Sequence, residues 1–501
     1  MSESGTDLAV TLGDVAAEPI EQTGPTSNFV YVDISSIDRE SKRIVGEKEI
    51  SAVDAPSRAK QILRAGDVLV SMTRPNLNAV SIVPDRLDGA IASTGFHVLR
   101  SKWVEPKFLF NLVQTDEFID SMCNVVQGAL YPAVRPKDIA SFAFTLPSSN
   151  QQTRIVEKLE ELLSDLDAGV AELKAAQAKL VRYRQSLLKA AVEGALTAEW
   201  RQHNTPDETG AQLLQRILTE RRARWEAKQL AKFAEQGKAP PKDWQKKYPE
   251  PVQPDLTDLP ELPKAWTWAS VEQISEIQGG IQKQPSRAPM EKKYPFLRVA
   301  NVARGKLKLD EVHEIELFSG ELERLKLVAG DILIVEGNGS LSEIGRCALW
   351  DGSIANAVHQ NHLIRARPIG VVSQFVETWL NSLGGIEKLT KLAATTSGLY
   401  TLSVGKISKI PVPIAPRVEQ EECMQVLAES LSALDAQEQS VEHSLKQSIA
   451  QRKNILRAAF SGQLVPQDPN DEPASALLAR IRAERIDREC RKTNLTKKRN
   501  A

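Results

Sequence analysis

The sequence contains two copies of one long helical segment. Residues 139–196 align without gaps on residues 407–464, and fifteen of these 58 positions are identical, where ordinary residue usage gives about three or four. Gln152 meets Gln420, and Gly194 meets Gly462. A unit of this size is too long for a solenoid repeat and occurs too few times for a propeller. The chain is therefore predicted to be two tandem halves related by a pseudo-twofold.

Each copy carries a seven-residue repeat that is mostly apolar. Such a repeat predicts a coiled-coil seam, and a helix of about 35 to 40 residues spans on the order of 55 Å. We expect the two helices to pair with each other, antiparallel, with a globular domain at either end. The seam positions are Leu159, Leu166, Leu173, Leu180 and Leu187 in the first copy and Leu427, Leu434, Val441, Ser448 and Ile455 in the second.

A globular segment with strand and helix patterns precedes each long helix. The turn Ala65-Gly66-Asp67, which opens a strand, recurs as Ala329-Gly330-Asp331. The predicted fold class is α+β, with two mixed α/β domains separated by two long antiparallel helices that form a coiled coil. The predicted boundaries are 1–27 for a mobile N-terminal segment, 28–150 for the first domain, 151–197 for the first long helix, 198–264 for a helical segment and Pro-rich connector, 265–416 for the second domain, 417–466 for the second long helix, and 467–501 for a helix with a basic, disordered tail.

Composition limits the class of protein. The chain has 501 residues, 26% of them charged, and a mean hydropathy of -0.29, which is typical of a globular protein of several domains. It has no run of 18 apolar residues and no signal peptide at its start, and its four cysteines are scattered singly. We expect a cytoplasmic protein that does not enter a membrane.

The net charge of -1 argues against a simple nucleic-acid binder, because isolated DNA-binding domains are usually strongly basic. However, charge is distributed unevenly along the chain. Residues 282–310 contain eight basic and two acidic side chains, so this segment could contact phosphates locally.

The ends of the two helical copies carry the most specific motifs. They open with Leu146-Pro147 to Gln152 and with Ile414-Ala415-Pro416 to Gln420, and they close with Leu188–Leu196 and Leu456–Leu464, in which Ala-Ala-x-x-Gly-x-Leu recurs. Leu262-Pro263-Lys-Ala-Trp266-Thr-Trp268 introduces the second domain. With the order of domain, helix, domain and helix, these motifs resemble the specificity (S) subunits of type I restriction-modification systems.

The resemblance implies a non-catalytic reader of double-stranded DNA. Each domain would read one half of a bipartite target, and the helices would set the spacing and dock two methyltransferase (M) subunits, with restriction (R) subunits joining them. S-adenosylmethionine, Mg and ATP are expected only on those partner subunits. The sequence itself has no adenine-methylation box, phosphate loop or nucleophile elbow. A structural coiled-coil scaffold whose globular domains bind proteins rather than DNA remains the alternative.

Candidate contact residues follow from the chemistry of DNA recognition, in which Lys and Arg bind phosphates, and Arg, Asn and Gln read base edges. Loops after the two Gly-Asp strands, loops before the long helices, and the basic segment hold such residues. The pair His359 and His362 lacks further metal ligands, and His97 matches His362, so we predict no metal site. The candidates for DNA binding are Arg74, Asn76, Asn78, Tyr131, Arg135, Lys137, Lys283, Arg287, Lys292, Lys293, Arg304, Asn338, Ser340, Tyr400 and Lys406, and those for subunit docking are Glu160, Glu161, Arg184 and Arg452.

Overall fold

A computed structural model describes residues 8–16, 18–126, 132–396 and 399–499. The chain forms two compact units. Unit 1 comprises Met1–Ala175 and Val441–Ala501, and unit 2 comprises Ala176–Ser440. Each unit therefore contains one globular domain and one half of each long helix.

The first globular domain, called domain 1, extends from β1 to β11 and is followed by the first long helix. Its strands are β1 Leu8–Thr11, β2 Phe29–Val32, β3 Ile37–Asp38, β4 Arg43–Ile44, β5 Lys48–Ile50, β6 Ala59–Ile62, β7 Val68–Ser71, β8 Val80–Ile82, β9 Ile91–Ser93, β10 Phe96–Leu99 and β11 Ala143–Leu146. The helices are α1 Leu12–Val15, α2 Pro106–Leu112, α3 Asp116–Asn124, α4 Pro136–Ala140 and the long helix α5 Ser149–Val192.

Two connecting helices, α6 Ala198–His203 and α7 Gly210–Glu235, lead to the second globular domain, called domain 2. Its strands are β12 Thr267–Ser270, β13 Ser275–Gly279, β14 Lys293–Leu297, β15 Val302–Ala303, β16 Lys306–Leu307, β17 His313–Glu316, β18 Ile332–Val335, β19 Gly337–Asn338, β20 Cys347–Leu349, β21 Val358–His359, β22 Leu363–Pro368, β23 Ala394–Thr396, β24 Leu399–Thr401 and β25 Pro411–Ile414. The helices are α8 Val271–Ile274, α9 Glu321–Leu325, α10 Ser373–Asn381, α11 Leu383–Leu392, α12 Val404–Ile407, the long helix α13 Arg417–Phe460 and the last helix α14 Ala474–Arg499.

The two domains share one strand plan. Domain 1 has sheets ordered β5-β2-β9-β6 and β10-β7-β8, and domain 2 has sheets ordered β17-β14-β21 and β13-β22-β18-β20. In both domains one pair is parallel, β2 with β9 and β14 with β21. The first strand of each domain pairs with the last, β1 with β11 and β12 with β25. The predicted mixed α/β character of both domains is confirmed.

The repeated Gly-Asp turn is confirmed in detail. Gly66 and Gly330 have φ angles of 84° and 94°, a region that favours glycine. The carboxylate of Asp67 accepts two hydrogen bonds from Arg100, at 2.7 and 2.6 Å. Asp331 accepts the same pair from Arg367, at 2.6 and 2.8 Å. The turn therefore places an ion pair with a buried aspartate at the same point of each domain.

The duplication extends to the helices. The long helices α5 and α13 have 44 residues each, and α7 and α14 have 26 residues each. In unit 2, Arg184 of α5 contacts Asp435 of α13, and the backbone oxygen of Ala191 accepts from Cys423 at 3.3 Å. From the first contact to the second, the residue number increases on α5 and decreases on α13. The two helices therefore run antiparallel.

In unit 1 the equivalent ion pair joins Arg452 to Asp167. Arg184 aligns with Arg452 in the internal repeat, and Asp167 aligns with Asp435. Each unit therefore contains its own copy of the same contact. The predicted antiparallel pairing of the helices is confirmed within each unit, and the internal duplication is confirmed.

Two predictions about the chain ends are wrong. The N-terminal segment contributes to the fold, because β1 pairs with β11, and Val10, Leu12 and Val15 are buried in the core of unit 1. Domain 1 thus includes residues that precede the predicted boundary at residue 28. The C-terminal tail is helical to Arg499 rather than disordered, since Leu477 and Ile481 anchor the first half of α14 in that core.

Candidate nucleic-acid interface

Two of the predicted loops in domain 1 lie against each other. Thr73, in the loop after β7, forms a β-bridge with Ala133, in the segment before α4. On either side of this bridge the Arg74 backbone donates to Pro132, and the Val134 backbone donates to Met72, both at 2.8 Å. The chain thereby brings the ends of two distant loops together at one edge of the domain.

Domain 2 contains the same arrangement. Strand β19, directly after β18, pairs with β24, and the Leu402 backbone donates to Glu336 at 2.7 Å. The separation in sequence between Met72 and Glu336 equals the separation between the two Gly-Asp turns. The separation between Val134 and Leu402 equals the separation between the two long helices. Both domains therefore present one equivalent pair of loops. All four loops carry residue types that indicate contact with DNA, but their pairing was not predicted, although the shared offsets were the signal for it.

In domain 1, the loop pair exposes polar side chains. Arg74, Asn76, Arg135 and Lys137 are all exposed. Arg135 pairs with Asp138, 3.1 Å away, and this hydrogen bond raises the pKa of its guanidinium. Tyr131 lies outside the described residues. Arg74, Lys137 and Asn76 offer positive charge and one amide to a ligand, which suits phosphates and base edges.

In domain 2, Asn338 lies opposite Tyr400 in the β19–β24 pair. The side-chain oxygen of Asn338 accepts from the Ser340 backbone at 2.9 Å, and the Ser340 hydroxyl is 2.8 Å from that of Ser342. Lys406 donates from Nζ to the Thr401 carbonyl at 3.3 Å. This loop pair is rich in amides and hydroxyls, whereas that of domain 1 is richer in arginine and lysine.

Three of the predicted DNA contacts already bind protein groups in the structure. Asn78 is buried, and its amide donates to Val113. Arg304 donates to the Ser342 carbonyl at 3.0 Å, and burial lowers the pKa of its guanidinium. Arg287 binds Glu321 through two hydrogen bonds of 2.7 and 2.9 Å and lies 4.4 Å from the centre of the Phe318 ring. Donors that are already bound to protein oxygens are poor candidates for DNA.

The remaining lysines of the basic segment are exposed. Lys283, Lys292 and Lys293 lie between Ile281 and the start of β14. The Glu316 carboxylate accepts from the Met290 and Lys292 backbones, at 2.9 and 3.0 Å, so it fixes the backbone of the segment and leaves the lysine side chains outside. They remain candidates for phosphate contacts.

The four predicted docking residues divide into two groups. Glu160 and Glu161 are exposed on α5, where Lys107 and Lys158 lie beside them. Arg184 and Arg452 instead bridge α5 and α13 through the two equivalent ion pairs. These guanidinium groups hold one helix against the other, so they are weaker candidates for a docking surface than the two glutamates.

His359 has a structural role. It is fully buried, its Nδ1 lies 3.1 Å from the Leu363 carbonyl oxygen, and burial lowers its pKa to about 4. His362 lies in the turn before β22, which begins at Leu363. Within the described ranges no three His, Cys, Asp or Glu residues are placed to hold a metal ion.

In the same part of the chain, no helix combines the length and apolar character needed to cross a bilayer.

Two copies of one loop-bearing domain, joined by a duplicated pair of antiparallel helices, define a class of modular recognition protein. Comparison with known proteins identifies the class. Residues 26–174 match the family model described as type I restriction modification DNA specificity domain. The specificity subunit of the type I restriction enzyme EcoKI from Escherichia coli K12 is 24% identical over 399 residues, which cover 77% of this chain and 74% of that protein.

Two solved structures share the fold. A chain from a structure of the assembly and conformational transition of a type I restriction-modification system has a TM-score of 0.68 and 23% identity, covering 92% of this chain and 99% of its own. The HsdS subunit from Thermoanaerobacter tengcongensis has a TM-score of 0.51 and 23% identity, covering 91% and 97%. The chain is therefore similar in sequence, over about three quarters of its length, to specificity subunits of type I restriction-modification systems.

Proposed function

We propose that this chain recognises a bipartite DNA sequence, with domain 1 reading one half and domain 2 the other. The observation that carries the proposal is the pair of loops that recurs at the same place in both domains. DNA readers commonly place recognition on loops held by a rigid scaffold. The family supplies the class of ligand, since the matched model is that of a DNA specificity domain. The protein-binding scaffold has no comparable support.

The exposed side chains divide by chemistry. Asn76, Asn338 and Ser340 carry amide or hydroxyl groups that can hydrogen-bond to base edges. Arg74, Lys137 and the three exposed lysines of the basic segment suit phosphates, whose neutralisation releases counterions. Because the two loop pairs hold different residues, the half-sites that they read differ in sequence. Binding weakens steeply as salt rises.

Loop exchange tests the assignment. Residues 73–77 in one variant and 338–341 in another are replaced by the corresponding loop of another specificity subunit, and methylated adenines are mapped across a genome. Each exchange is expected to change one half-site and to leave the other unchanged, because each loop belongs to its own domain. Each variant serves as the control for the other. A change in both half-sites, or in neither, would contradict the proposal.

The partners follow from the same assignment. We propose that the chain leaves catalysis to partner subunits, that two methyltransferase subunits bind per chain on outer faces of α5 and α13 that include Glu160 and Glu161, and that restriction subunits join them. S-adenosylmethionine, Mg and ATP then belong to those subunits. The mass of the purified complex tests the stoichiometry, and charge reversal at Glu160 and Glu161 together is expected to weaken assembly. A complex with a single methyltransferase subunit would contradict it.

A further inference from the structure

A lysine from a hairpin holds the end of the β7 loop in domain 1. Lys42 lies in the turn between β3 and β4, and its Nζ donates to the backbone oxygen of Asn78 at 2.6 Å and to the side-chain oxygen of Asn78 at 3.0 Å. The Asn78 amide in turn donates to the Val113 carbonyl, after α2, at 2.8 Å. One cation and one amide thus tie the hairpin, the end of the loop and the helix corner together.

Domain 2 contains the same tie, made by different residues. Arg304 lies in the turn between β15 and β16, and it donates to the Ser342 backbone oxygen at 3.0 Å and to the Asn381 side chain at 3.4 Å. The Asn381 amide donates to the Cys347 carbonyl at 3.0 Å. Ser342 corresponds to Asn78 at the offset of the Gly-Asp turns, and Asn381 corresponds to Val113 at the offset of the long helices. The backbone bonds that close the two loops, Ser71 to Ala79 and Val335 to Arg346, show that the domain 2 loop is three residues longer, so Ser342 lies three residues before the structural counterpart of Asn78. Both ties nevertheless join the hairpin, the loop after the Gly-Asp strand and the helix corner.

The residues that make the tie are not copies of each other. The cation is lysine in one domain and arginine in the other, and the amide comes from the loop in domain 1 but from α10 in domain 2. Two domains that differ in their loops have thus reached the same connection by separate residues. A need for a fixed loop explains this recurrence better than common descent of the side chains does.

The tie has a direct consequence for reading. A loop must hold its polar side chains in one geometry to discriminate between bases, and ordering it only on binding costs affinity. The tie fixes the loop at Asn78 in domain 1 and at Ser342 in domain 2, while β7 or β18 fixes its start. Between these fixed points, Arg74 and Asn76 in domain 1 and Gly339 and Ser340 in domain 2 are exposed.

The electrostatic environment of Lys42 and Arg304 also indicates that these side chains bind protein groups rather than DNA. Burial, with smaller effects of Arg452 and Arg39, lowers the pKa of Lys42 to about 8, and burial lowers the pKa of Arg304. Both cations are only partly exposed. A phosphate contact would instead require free donors that face solvent.

We propose that Lys42 and Arg304 are positioning residues, each of which fixes the recognition loop of its own domain and so sets base selectivity without contacting DNA. This proposal rests on the proposed function, because it assumes that the loops read bases. It predicts a separation between selectivity and general affinity. Loss of a positioning residue impairs discrimination at one half-site, whereas loss of a phosphate contact weakens binding to all sequences alike.

The test uses the complete complex with its methyltransferase subunits and a library of bipartite targets. For Lys42→Met, the ratio of methylation between cognate and mismatched domain 1 half-sites is expected to fall about tenfold or more, because loop misplacement of about 1 Å has effects of that size or larger. Selectivity at the other half-site and the salt slope of binding stay unchanged. Arg304→Met is expected to affect the other half-site alone. The exposed Lys137→Met is the comparison variant, expected to lower affinity for all sequences and to reduce the salt slope by about one.

Conservative and remote variants separate positioning from loss of folding. Lys42→Arg keeps the donors and is expected to restore most of the selectivity. Asn381→Ala breaks the tie in domain 2 from a buried position, and it is expected to reproduce the effect of Arg304→Met. If Lys42→Met and Arg304→Met instead keep the selectivity ratios and lower the salt slope, both residues bind phosphate, and the positioning role is overturned.

The outcomes also distinguish this proposal from the proposed function. Should the unmodified complex show no half-site selectivity, the assignment of DNA reading would itself fail. Should the unmodified complex be selective, and Lys42→Met, Arg304→Met and Asn381→Ala all remain equally selective, only the positioning role would fail.

Discussion

Glu377 is a carboxyl group packed in domain 2 beside Asn381, whose amide donates to it. Burial raises the pKa of Glu377 to about 7, from an ordinary value of 4.5. The folded chain therefore binds a proton at this site between about pH 4.5 and pH 7, where the unfolded chain has lost it. The stability that this site contributes is fully present below pH 4.5 and is lost as the pH rises through 7.

Glu377→Gln removes this titration while keeping an oxygen that accepts from Asn381. Above pH 7 the variant is expected to be more stable than the parent by on the order of 1 kcal/mol, and the difference should vanish near pH 4.5. Thermal unfolding at pH 5 and pH 8 measures it. The exposed Glu387, whose pKa is lowered by its hydrogen bond to Lys391, is the matched control, and Glu387→Gln should give no gain at pH 8. A gain for Glu377→Gln that is the same at both pH values would contradict this account.

Lys283 and Arg287 lie close together in the basic segment but differ in their partners. Lys283 is exposed, whereas Arg287 is bound to Glu321. Lys283→Ala is expected to reduce the salt slope of DNA binding by about one. Arg287→Ala should leave the slope unchanged and lower the melting temperature, because it leaves Glu321 without its partner. Titration of binding against salt for the two variants decides the assignment, and an equal change in slope would refute it.

This contrast shows what the sequence could predict about individual residues. Residue types identified segments able to contact DNA, and Arg74, Asn76 and the lysines are indeed exposed there. Asn78 and Arg304 are instead held by Val113 and Asn381, which lie 35 and 77 positions away. No local sequence pattern reveals a partner at such a distance. Only the structure shows that these side chains are already hydrogen-bonded within the protein.

At the scale of structural elements, the start of each long helix is held by the same pair of hydrogen bonds, made by one glutamine. Gln420 accepts from the Val372 backbone, which precedes α10, and donates to the Ala415 carbonyl, both at 2.8 Å. Gln152 makes the equivalent bonds with Glu105 and Pro147, at 3.1 and 3.0 Å. Both glutamines are buried. Each one joins the beginning of a long helix to the beginning of a helix in its domain.

Gln420→Ala is therefore expected to lower the free energy of unfolding by about 2 kcal/mol, because the partly buried N–H of Val372 and the buried carbonyl of Ala415 both lose their partner. Gln425, which is exposed on the same helix, is the matched control, and Gln425→Ala should change stability by about 0.5 kcal/mol or less. Chemical denaturation measures both values. Equal effects of the two substitutions on the free energy of unfolding would show that the hydrogen bonds of Gln420 stabilise the fold no more than an exposed glutamine does.

At this scale the sequence was informative where an element had a copy. The identity of Gln152 with Gln420 and the repeated heptads predicted both long helices, and the repeated Gly-Asp turn predicted β7 and β18. Strand β1 has no such copy, since Leu8-Ala-Val-Thr shares no identical residue with Thr267-Trp-Ala-Ser when the two are set in register. Its partner β11 lies at the opposite end of the domain in sequence, which is why the N-terminal segment was predicted to be mobile.

For the molecule as a whole, duplication provides two readers and two matching helices from one architectural unit. The reciprocal ion pairs, Arg184 with Asp435 and Arg452 with Asp167, fix the register of α5 against α13 in each unit. Registers set by both apolar seams and charges resist slippage. The helices can thus act as a spacer of defined length in the proposed function.

The length of that spacer is open to direct change. Each long helix has 44 residues, or about 66 Å, and seven added residues lengthen it by about 10.5 Å. Inserting one heptad after Ala175 and another after Ser440 keeps the seam in phase and keeps both ion pairs. The unspecified gap in the target is then expected to grow by about three base pairs, at about 3.4 Å each, while both half-sites stay the same. Insertion of four residues at each place shifts the seam and should abolish modification. If the heptad variant altered the half-sites while the gap stayed constant, the helices would not measure the spacing, and reading could not be confined to the two domains.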